Sequence, residues 1–353
     1  MKLFQPFERA HGIDISDFMI RVAEARHGKK GIELFAFGEV PLAKGIIEKG
    51  EITDFEAMKK QLTLLYKSCA GHLSSPFAIV AVPERKTFTK VIEIDTLPHE
   101  QLQEAMRWES EQHFPISTED VYTAWSMISE TKEKQTILLS ATDRLYVEQY
   151  VSALESVGKT LVIAEPESLA MQRFLLADDK TPTIILDLGA SKTSADIIVG
   201  GIIRYTSTIA FSGKDLTLSL AKKLNLDETQ AEKAKTLFGM DKVKSKGVVR
   251  KILTPLFNPL LGHLQQILSY YEDHFSNLPK IERICLCGGG STMAGIDEFL
   301  SEQVSLPVTK IIPKIRGSYK AGRHFDQSKV LSFVTVIGLS LRSGEQLPYQ
   351  MLK

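Results

Sequence analysis

The sequence predicts an α/β protein made of two related domains, with a small extra module set into the first. Three observations carry that prediction. Short apolar strands alternate with amphipathic helical stretches along most of the chain. A strand–Asp–turn–strand element occurs twice, as IDISDFMIRVAEA from Ile13 and as TIILDLGASKTSADIIV from Thr183, roughly 170 residues apart. Between the two, at about 85–142, the rhythm changes to strand–helix–strand–strand.

The elements follow in order. Residues 11–24 read as a strand, a turn and a return strand, with 31–40 as a third. Residues 54–70 carry apolar positions at helical spacing behind Asp54, a suitable cap. FAIVAVP (77–83) is a buried strand stopped by Pro83. In the extra module TFTKVIEI (87–94) alternates as a strand, and LPHEQLQEAMRWESEQHF (97–114) is a helix bounded by Pro98 and Pro115. VYTAWSMI (121–128) and QTILLSA (135–141) then pair across a charged turn. A helix at 143–157 ends at Gly158, a strand at 160–164 follows, and a helix at 166–177 leads into ADDKTP (177–182). That acidic, proline-bearing stretch is the domain boundary, giving domains 1–181 and 182–353. The second domain opens with three strands over 183–210 and continues as helices over 213–240 and 247–276, a helical subdomain at about 213–280. ERICLCGGGSTMAGIDEFLSEQV (282–304) is strand, glycine turn and helix, and LSFVTVIGLSLR (331–342) is a final helix rich in small residues.

Composition narrows the functional classes. Lys plus Arg (43) equals Asp plus Glu (43), so the overall charge demands neither nucleic acid nor an anionic membrane as partner. Cys285 and Cys287 sit in the apolar run ICLCGGG without further ligands nearby, which suits buried strand positions better than a metal site. Such cysteine usage fits a reducing compartment. No stretch reaches signal-peptide or membrane-span length, so a soluble cytoplasmic protein is expected.

Three short elements hold the candidate chemistry: Asp14-Ile15-Ser16-Asp17-Phe18-Met19-Ile20-Arg21, Asp187-Leu188-Gly189-Ala190-Ser191-Lys192-Thr193, and Gly288-Gly289-Gly290-Ser291. In the second, an Asp closes a buried strand and a turn of small and hydroxyl residues follows. Such a turn lets backbone N–H groups approach a phosphate, while the carboxylate holds Mg²⁺ directly or through water. An Asp in an ordinary hairpin turn reads the same way. The glycine run exposes backbone amides ahead of a helix, or is only a tight strand–helix turn. Taken together in this order, the three describe a nucleotide held between two related domains.

That order resembles the superfamily of actin, hexokinase and the DnaK chaperones, and the resemblance runs along nearly the whole chain. It implies an actin-like, ribonuclease-H-like two-domain ATPase fold. The inserted module resembles the extra SHS2-like subdomain of FtsA and PilM. VAVPERKTFTKVIEIDTLPHEQLQEAMRWESEQHFPISTEDVYTAWSMI is similar to PilM, with Glu104, Arg107, Glu109, Glu111 and Phe114-Pro115 in the family's pattern. FSGKDLTLSLAKKLNLDETQAEKAK (211–235) and FVTVIGLSLR (333–342) are similar to two further PilM stretches.

The resemblance implies roles. Asp14 and Asp187 match the two Mg²⁺/phosphate aspartates of an ATP or ADP site, with Ser16 and Arg21 beside the first. Gly189, Ser191 and Thr193 match the second phosphate loop, and Gly213 the glycine of a further phosphate-side loop. Gly288, Gly289 and Gly290 match the adenosine motif. Glu232 and Lys235 fall where the superfamily contacts ribose and adenine, though a solvated salt bridge has the same i, i+3 spacing. Glu165 matches the residue that orients the attacking water in hydrolysing relatives, with Glu167 as the other candidate. The first loop departs from the family's D-I-G-S-S-S-x-K: Ser16 replaces a glycine, Asp17 adds negative charge and Phe18 adds bulk. Close charges of one sign in a partly dry site cost on the order of a few kcal/mol. The expectation is weak nucleotide binding, or ATP binding with little hydrolysis.

Resemblance to the PilM family implies a cytoplasmic scaffold of type IV pilus or related secretion assembly. Its implied partners are the N-terminal tail of a PilN-like membrane protein, held in a groove near the inserted module, and other inner-membrane assembly proteins. Phe88, Phe114, Tyr122 and Trp125 either line that groove or form the module's core. Two other readings stand beside this one. An FtsA-like division protein would need a basic amphipathic tail, which RSGEQLPYQMLK, with Pro348, does not resemble. A small-molecule kinase would need a substrate base that no motif supplies.

Overall fold

A computed structural model of the chain describes residues 9–48, 50–83, 86–114, 120–317, 324–344 and 349–351. Pro115 and Pro348 lie outside them. The chain divides into two compact units. The first holds residues up to Phe174, then Lys314–Phe325, then Thr335 onwards, and the second holds Leu175–Pro313 and Asp326–Val334.

The first unit opens with β1 (His11–Ile15), β2 (Met19–Gly28) and β3 (Gly31–Pro41), then a small hairpin of β4 (Ile47–Glu48) and β5 (Glu51–Ile52). Helix α1 (Phe55–Ser68) starts where the Asp54 carboxylate accepts the Ala57 N–H at 2.9 Å, the cap expected from sequence. After β6 (Ala70–Gly71) and β7 (Phe77–Val82) comes the inserted module: β8 (Thr87–Asp95), α2 (His99–His113), β9 (Val121–Glu130) and β10 (Lys134–Asp143). Helix α3 (Arg144–Glu155), β11 (Thr160–Pro166) and α4 (Glu167–Leu175) return to the main sheet.

The second unit contains β12 (Thr183–Leu188), β13 (Thr193–Val199), β14 (Ile202–Ile209), helices α5 (Gly213–Leu224), α6 (Glu228–Phe238), α7 (Val248–Leu253) and α8 (Asn258–His274), then β15 (Arg283–Cys287), α9 (Ile296–Val304) and β16 (Val308–Thr309). The chain then re-enters the first unit through β17 (Ile315–Arg316), α10 (Val334–Leu341) and β18 (Tyr349–Met351).

The two units repeat one topology. The main sheet of the first runs β11-β7-β1-β2-β3-β17, and that of the second runs β14-β13-β12-β15-β16. In each, three antiparallel strands form a meander, and two later strands join the leading one in parallel. The internal repeat read from the sequence is therefore a repeat of structure. The inserted module is a separate antiparallel sheet, β18-β9-β10-β8, covered by α2. Trp125 and Phe114 belong to its small core, whereas Phe88 is 38% exposed and leans on Phe114.

The division of the chain differs from the one expected. The sequence suggests a cut at 181/182 with everything after it in the second domain, yet two C-terminal segments belong to the first unit. Backbone contact explains this. Strand β17 pairs in parallel with β3, and the small residues of α10 permit close approach to β1 and α4. A Cβ on Gly12 would lie 2.2 Å from the Val336 carbonyl oxygen, and one on Gly338 would lie 2.0 Å from that of Ala170. Ser340 Oγ also accepts the Ala25 N–H at 2.7 Å, where β2 and β3 slip register.

Candidate functional site

The two Asp hairpins are equivalent in backbone. Asp14 pairs with Arg21 and Ile15 with Ile20, while Asp187 pairs with Ser194 and Leu188 with Thr193. Each loop is closed by one turn bond, Ser16 N–H to Met19 O at 2.9 Å and Gly189 N–H to Lys192 O at 3.0 Å.

In the second unit the structure gathers most of the predicted residues into one cluster. Gly213 N–H donates to Gly189 O at 2.9 Å, and Lys214 N–H donates to Ala190 O at 3.1 Å. The start of α5 is thus stapled to the hairpin loop. Lys235 lies buried on α6, and its ammonium donates to Gly213 O (2.9 Å), Thr217 Oγ1 (2.8 Å) and Glu232 Oε2 (2.7 Å). The glycine turn closes on the same hairpin. Gly288 has φ +78°, and a Cβ there would stand 2.0 Å from Asp187 Oδ1 and 2.7 Å from Leu188 O. Only glycine combines that backbone with that approach. A Cβ on Gly290 would also meet Leu188, at 2.8 Å. Ser191 and Gly289 face solvent, and nothing lies within 4 Å of a Cβ on Gly289.

Several roles expected from the resemblance change with this geometry. The Thr193 hydroxyl is buried and donates to Phe211 O at 2.9 Å, so it fixes a strand end and does not face a ligand. Gly213 acts through its own backbone, because the N–H groups of Gly213, Lys214 and Asp215 are all used within the protein. Lys235 is an internal tie, since its three donors are filled by protein oxygens. Glu232 keeps a side chain 55% exposed beside it. Asp187, Ser191 and the Gly288–Gly290 turn form a surface on which a phosphate or nucleoside fits: small residues, an open glycine and one half-buried carboxylate.

The first unit arranges its hairpin differently. Arg21 Nη1 stands 4.0 Å from Asp14 Oδ2, and Arg21 Nε stands 3.4 Å from Glu39 Oε2. Asp17 Oδ1 accepts the Gly50 N–H at 3.0 Å, and the Ser16 hydroxyl donates to Met19 O at 3.0 Å. Phe18 O accepts the Leu42 N–H at 2.8 Å. The carboxylate expected to hold Mg²⁺ already faces a guanidinium, and Asp17 fastens a neighbouring loop. This hairpin does not fit a metal–phosphate group as the second does.

Glu165 does not fit the water-orienting role either. It is 2% exposed, and Arg173 donates to both oxygens, at 2.6 and 3.0 Å. Arg342 Nε stands 3.7 Å away on the other side. The group is a buried ion cluster that joins β11, α4 and the segment following α10. Sequence reasoning joined neither arginine to Glu165, and Arg342 reaches it from the far end of the chain.

A second site lies within the first unit. A cavity of about 480 Å³ opens between the inserted sheet, α3 and β11. Tyr122 and Ala124 on β9, Ser140 and Thr142 on β10, Val151 on α3 and Leu161–Pro166 on β11 line it. Its walls mix apolar surface with a few hydroxyls, as ligand pockets do. Strand β11 ends the order of its sheet, so one side of its backbone pairs with β7 and the other borders the cavity. Of the four aromatics considered for the groove from sequence, Tyr122 lines this cavity, and its other walls escaped notice because they come from four separated segments.

Two copies of one five-stranded topology, each led by a strand–Asp hairpin, with a strand–helix–strand–strand sheet inserted in the first, define an actin-like ATPase fold. Solved structures share it. The chain is 20% identical to one from a "PilM-PilN type IV pilus biogenesis complex", with TM-score 0.79 over 96% of this chain and 99% of that one. It is 15% identical to the ethanolamine utilization protein EutJ from Carboxydothermus hydrogenoformans, with TM-score 0.56 over 94% and 89%. It is 14% identical to MreB5 of Spiroplasma citri bound to ADP, with TM-score 0.54 over 95% and 96%. Residues 12–344 match the type IV pilus assembly protein PilM family, and the chain belongs to that family. It is also 27% identical over 197 residues to the cell division protein FtsA of Neisseria meningitidis serogroup B. That match spans 48% of this chain and 44% of FtsA, less than half of either. Among the described residues, no helix is long and apolar enough to cross a membrane.

Proposed function

We propose that this chain is a type IV pilus assembly scaffold that holds the cytoplasmic N-terminal tail of a PilN-like membrane protein in the cavity beside β11. The single observation that carries the reading is that cavity, bordered by the edge strand of the main sheet. An extended peptide laid there gains main-chain hydrogen bonds from a strand edge and side-chain specificity from the pocket walls. The fold likeness to a chain from a PilM–PilN complex supports the choice of partner. Localisation at the inner face of the cytoplasmic membrane, through that partner, follows from it.

The second unit adds a weak ATP or ADP site on Asp187, Ser191 and the Gly288–Gly290 turn. The first hairpin contributes little, and Glu165, the water-orienting candidate, is held by Arg173 and Arg342, so hydrolysis is slow or absent. A bound Mg²⁺ would be held on the Asp187 side, where it would neutralise phosphate charge.

The test is calorimetric titration with a synthetic peptide of the PilN-like tail. Ala164 is exposed on β11 and lines the cavity. Ala164→Arg fills the groove without disturbing the core and should weaken peptide binding at least tenfold. Full affinity in that variant, with an unchanged melting temperature, would remove the groove from the proposal.

A further inference from the structure

The balanced total charge conceals strongly basic stretches, and one of them lies at the junction of α6 and α7 in the second unit. Residues 241–251, DKVKSKGVVRK, carry Lys242, Lys244, Lys246, Arg250 and Lys251 against a single acid, Asp241. Asp241 is turned inward on its own loop. Its Oδ1 accepts the N–H groups of Val243 (2.8 Å) and Lys244 (2.9 Å), and those bonds hold its carboxyl below the ordinary range. The other acid in contact is Glu302, which meets Lys242 at 2.5 Å and Arg250 at 3.4 Å. Asp241 Oδ2 also lies 3.9 Å from Lys244 Nζ, so two carboxylates meet three of the five cations and the segment keeps a positive excess.

The same segment exposes apolar surface. Val243 is 83% exposed, Leu237 59% and Val248 48%, in a unit whose other apolar side chains mostly build one core. The loop is ordered by internal bonds, with Lys246 N–H donating to Val243 O at 3.1 Å and Asp241 N–H to Phe238 O at 3.1 Å. Ser245 (φ 50°) and Lys246 (φ 51°) precede Gly247 (φ 73°), so three successive left-handed residues reverse the chain between the two valines. Side chains with a Cβ adopt that conformation rarely, and here two do so in succession. A loop held this firmly presents bare valine among lysines in a fixed shape.

We infer that this loop docks directly on an anionic lipid bilayer surface. Charge complementarity names the occupant. Lysines at a bilayer face are attracted by acidic headgroups, while an exposed valine enters the interfacial layer. A nucleic acid would reward the lysines but gain nothing from Val243, the most exposed apolar side chain of the patch, and Phe238, the aromatic ring beside the loop, is only 36% exposed. The contact is separate from the peptide groove, which lies in the other unit, so the two fail independently.

The test is co-sedimentation of the full chain with vesicles of phosphatidylglycerol and phosphatidylethanolamine, and with vesicles of phosphatidylcholine alone. The wild type should bind the acidic vesicles, release from them at high salt, and ignore the neutral ones. Lys246→Glu with Lys251→Glu should lower binding more than tenfold, since each neutralised lysine alone accounts for roughly fivefold. Val243→Asp should do the same, and its exposure keeps the fold safe. Ala164→Arg should bind vesicles as the wild type does. Absence of binding to acidic vesicles, or binding that these loop variants leave intact, would overturn the inference. So would wild-type self-association that Val243→Asp abolishes, because the loop would then belong to a second copy of the chain.

Discussion

The hairpins at Asp14 and Asp187 have the same register, the same loop length and the same closing bond, yet they perform different work. In the second, the loop carbonyls tie to α5 and the aspartate packs against a glycine turn, leaving Ser191 and Gly289 open. In the first, every polar loop side chain is drawn into the protein. Asp14 faces Arg21, Asp17 holds Gly50, and Ser16 bonds its own turn. The following parallel strand differs too: β15 runs into Gly288, whereas β7 runs into Pro83. Backbone topology therefore preserves a duplicated frame, while side chains decide which copy leaves its loop open.

The largest effect should come from closing the glycine turn. Gly288→Ala places a methyl group against Asp187 and Leu188 in a left-handed backbone, and should cost about 3 kcal/mol, read by urea unfolding of the second unit. Little loss would mean that the turn is looser than the packing implies. Next is Lys235→Met, which removes the tie between α6 and α5. Gly213 O keeps the Thr217 hydroxyl at 3.0 Å, but the buried Thr217 Oγ1 loses its donor and Glu232 its cation, and the change should cost about 2 kcal/mol.

The leading strands differ in acid response as well. His11 of β1 occupies the place that Ile184 holds in β12, three residues before each aspartate. Burial, reinforced by the charge of Lys159, pushes the His11 imidazole down to about 3 from its ordinary 6.5. Unfolded His11 takes up a proton over that window and folded His11 does not. Stability of the first unit should therefore fall as pH drops below 6.5, by about 1.4 kcal/mol per pH unit from this group. Replacing His11 by Gln should remove that part of the slope, measured by denaturation across the window. The smallest effect is expected for Asp17→Ser, which loses the Gly50 bond for about 1 kcal/mol.

Much of this frame was legible in the sequence. The two Asp hairpins, the inserted module and the Gly288–Gly290 turn all rest on local patterns: alternation, caps and glycine runs. What escaped was long-range. Glu232 and Lys235 have the spacing of a solvent salt bridge, and only the packing of α5 on α6 buries Lys235. Glu165 reads as a catalytic candidate until Arg173 and Arg342 close on it. The return of α10 to β1 depends on Gly12 and Gly338 meeting backbone across the fold, which no local window reveals.

The divergence of the two hairpins is tested most directly by calorimetric titration of Mg-ATP into the wild type, Asp187→Ala and Asp14→Ala. Asp187→Ala should lose at least tenfold in affinity, while Asp14→Ala should change less than threefold, given how differently the two carboxylates are engaged. Equal losses in both variants, or a larger loss at Asp14, would contradict the assignment of the ligand surface to the second hairpin.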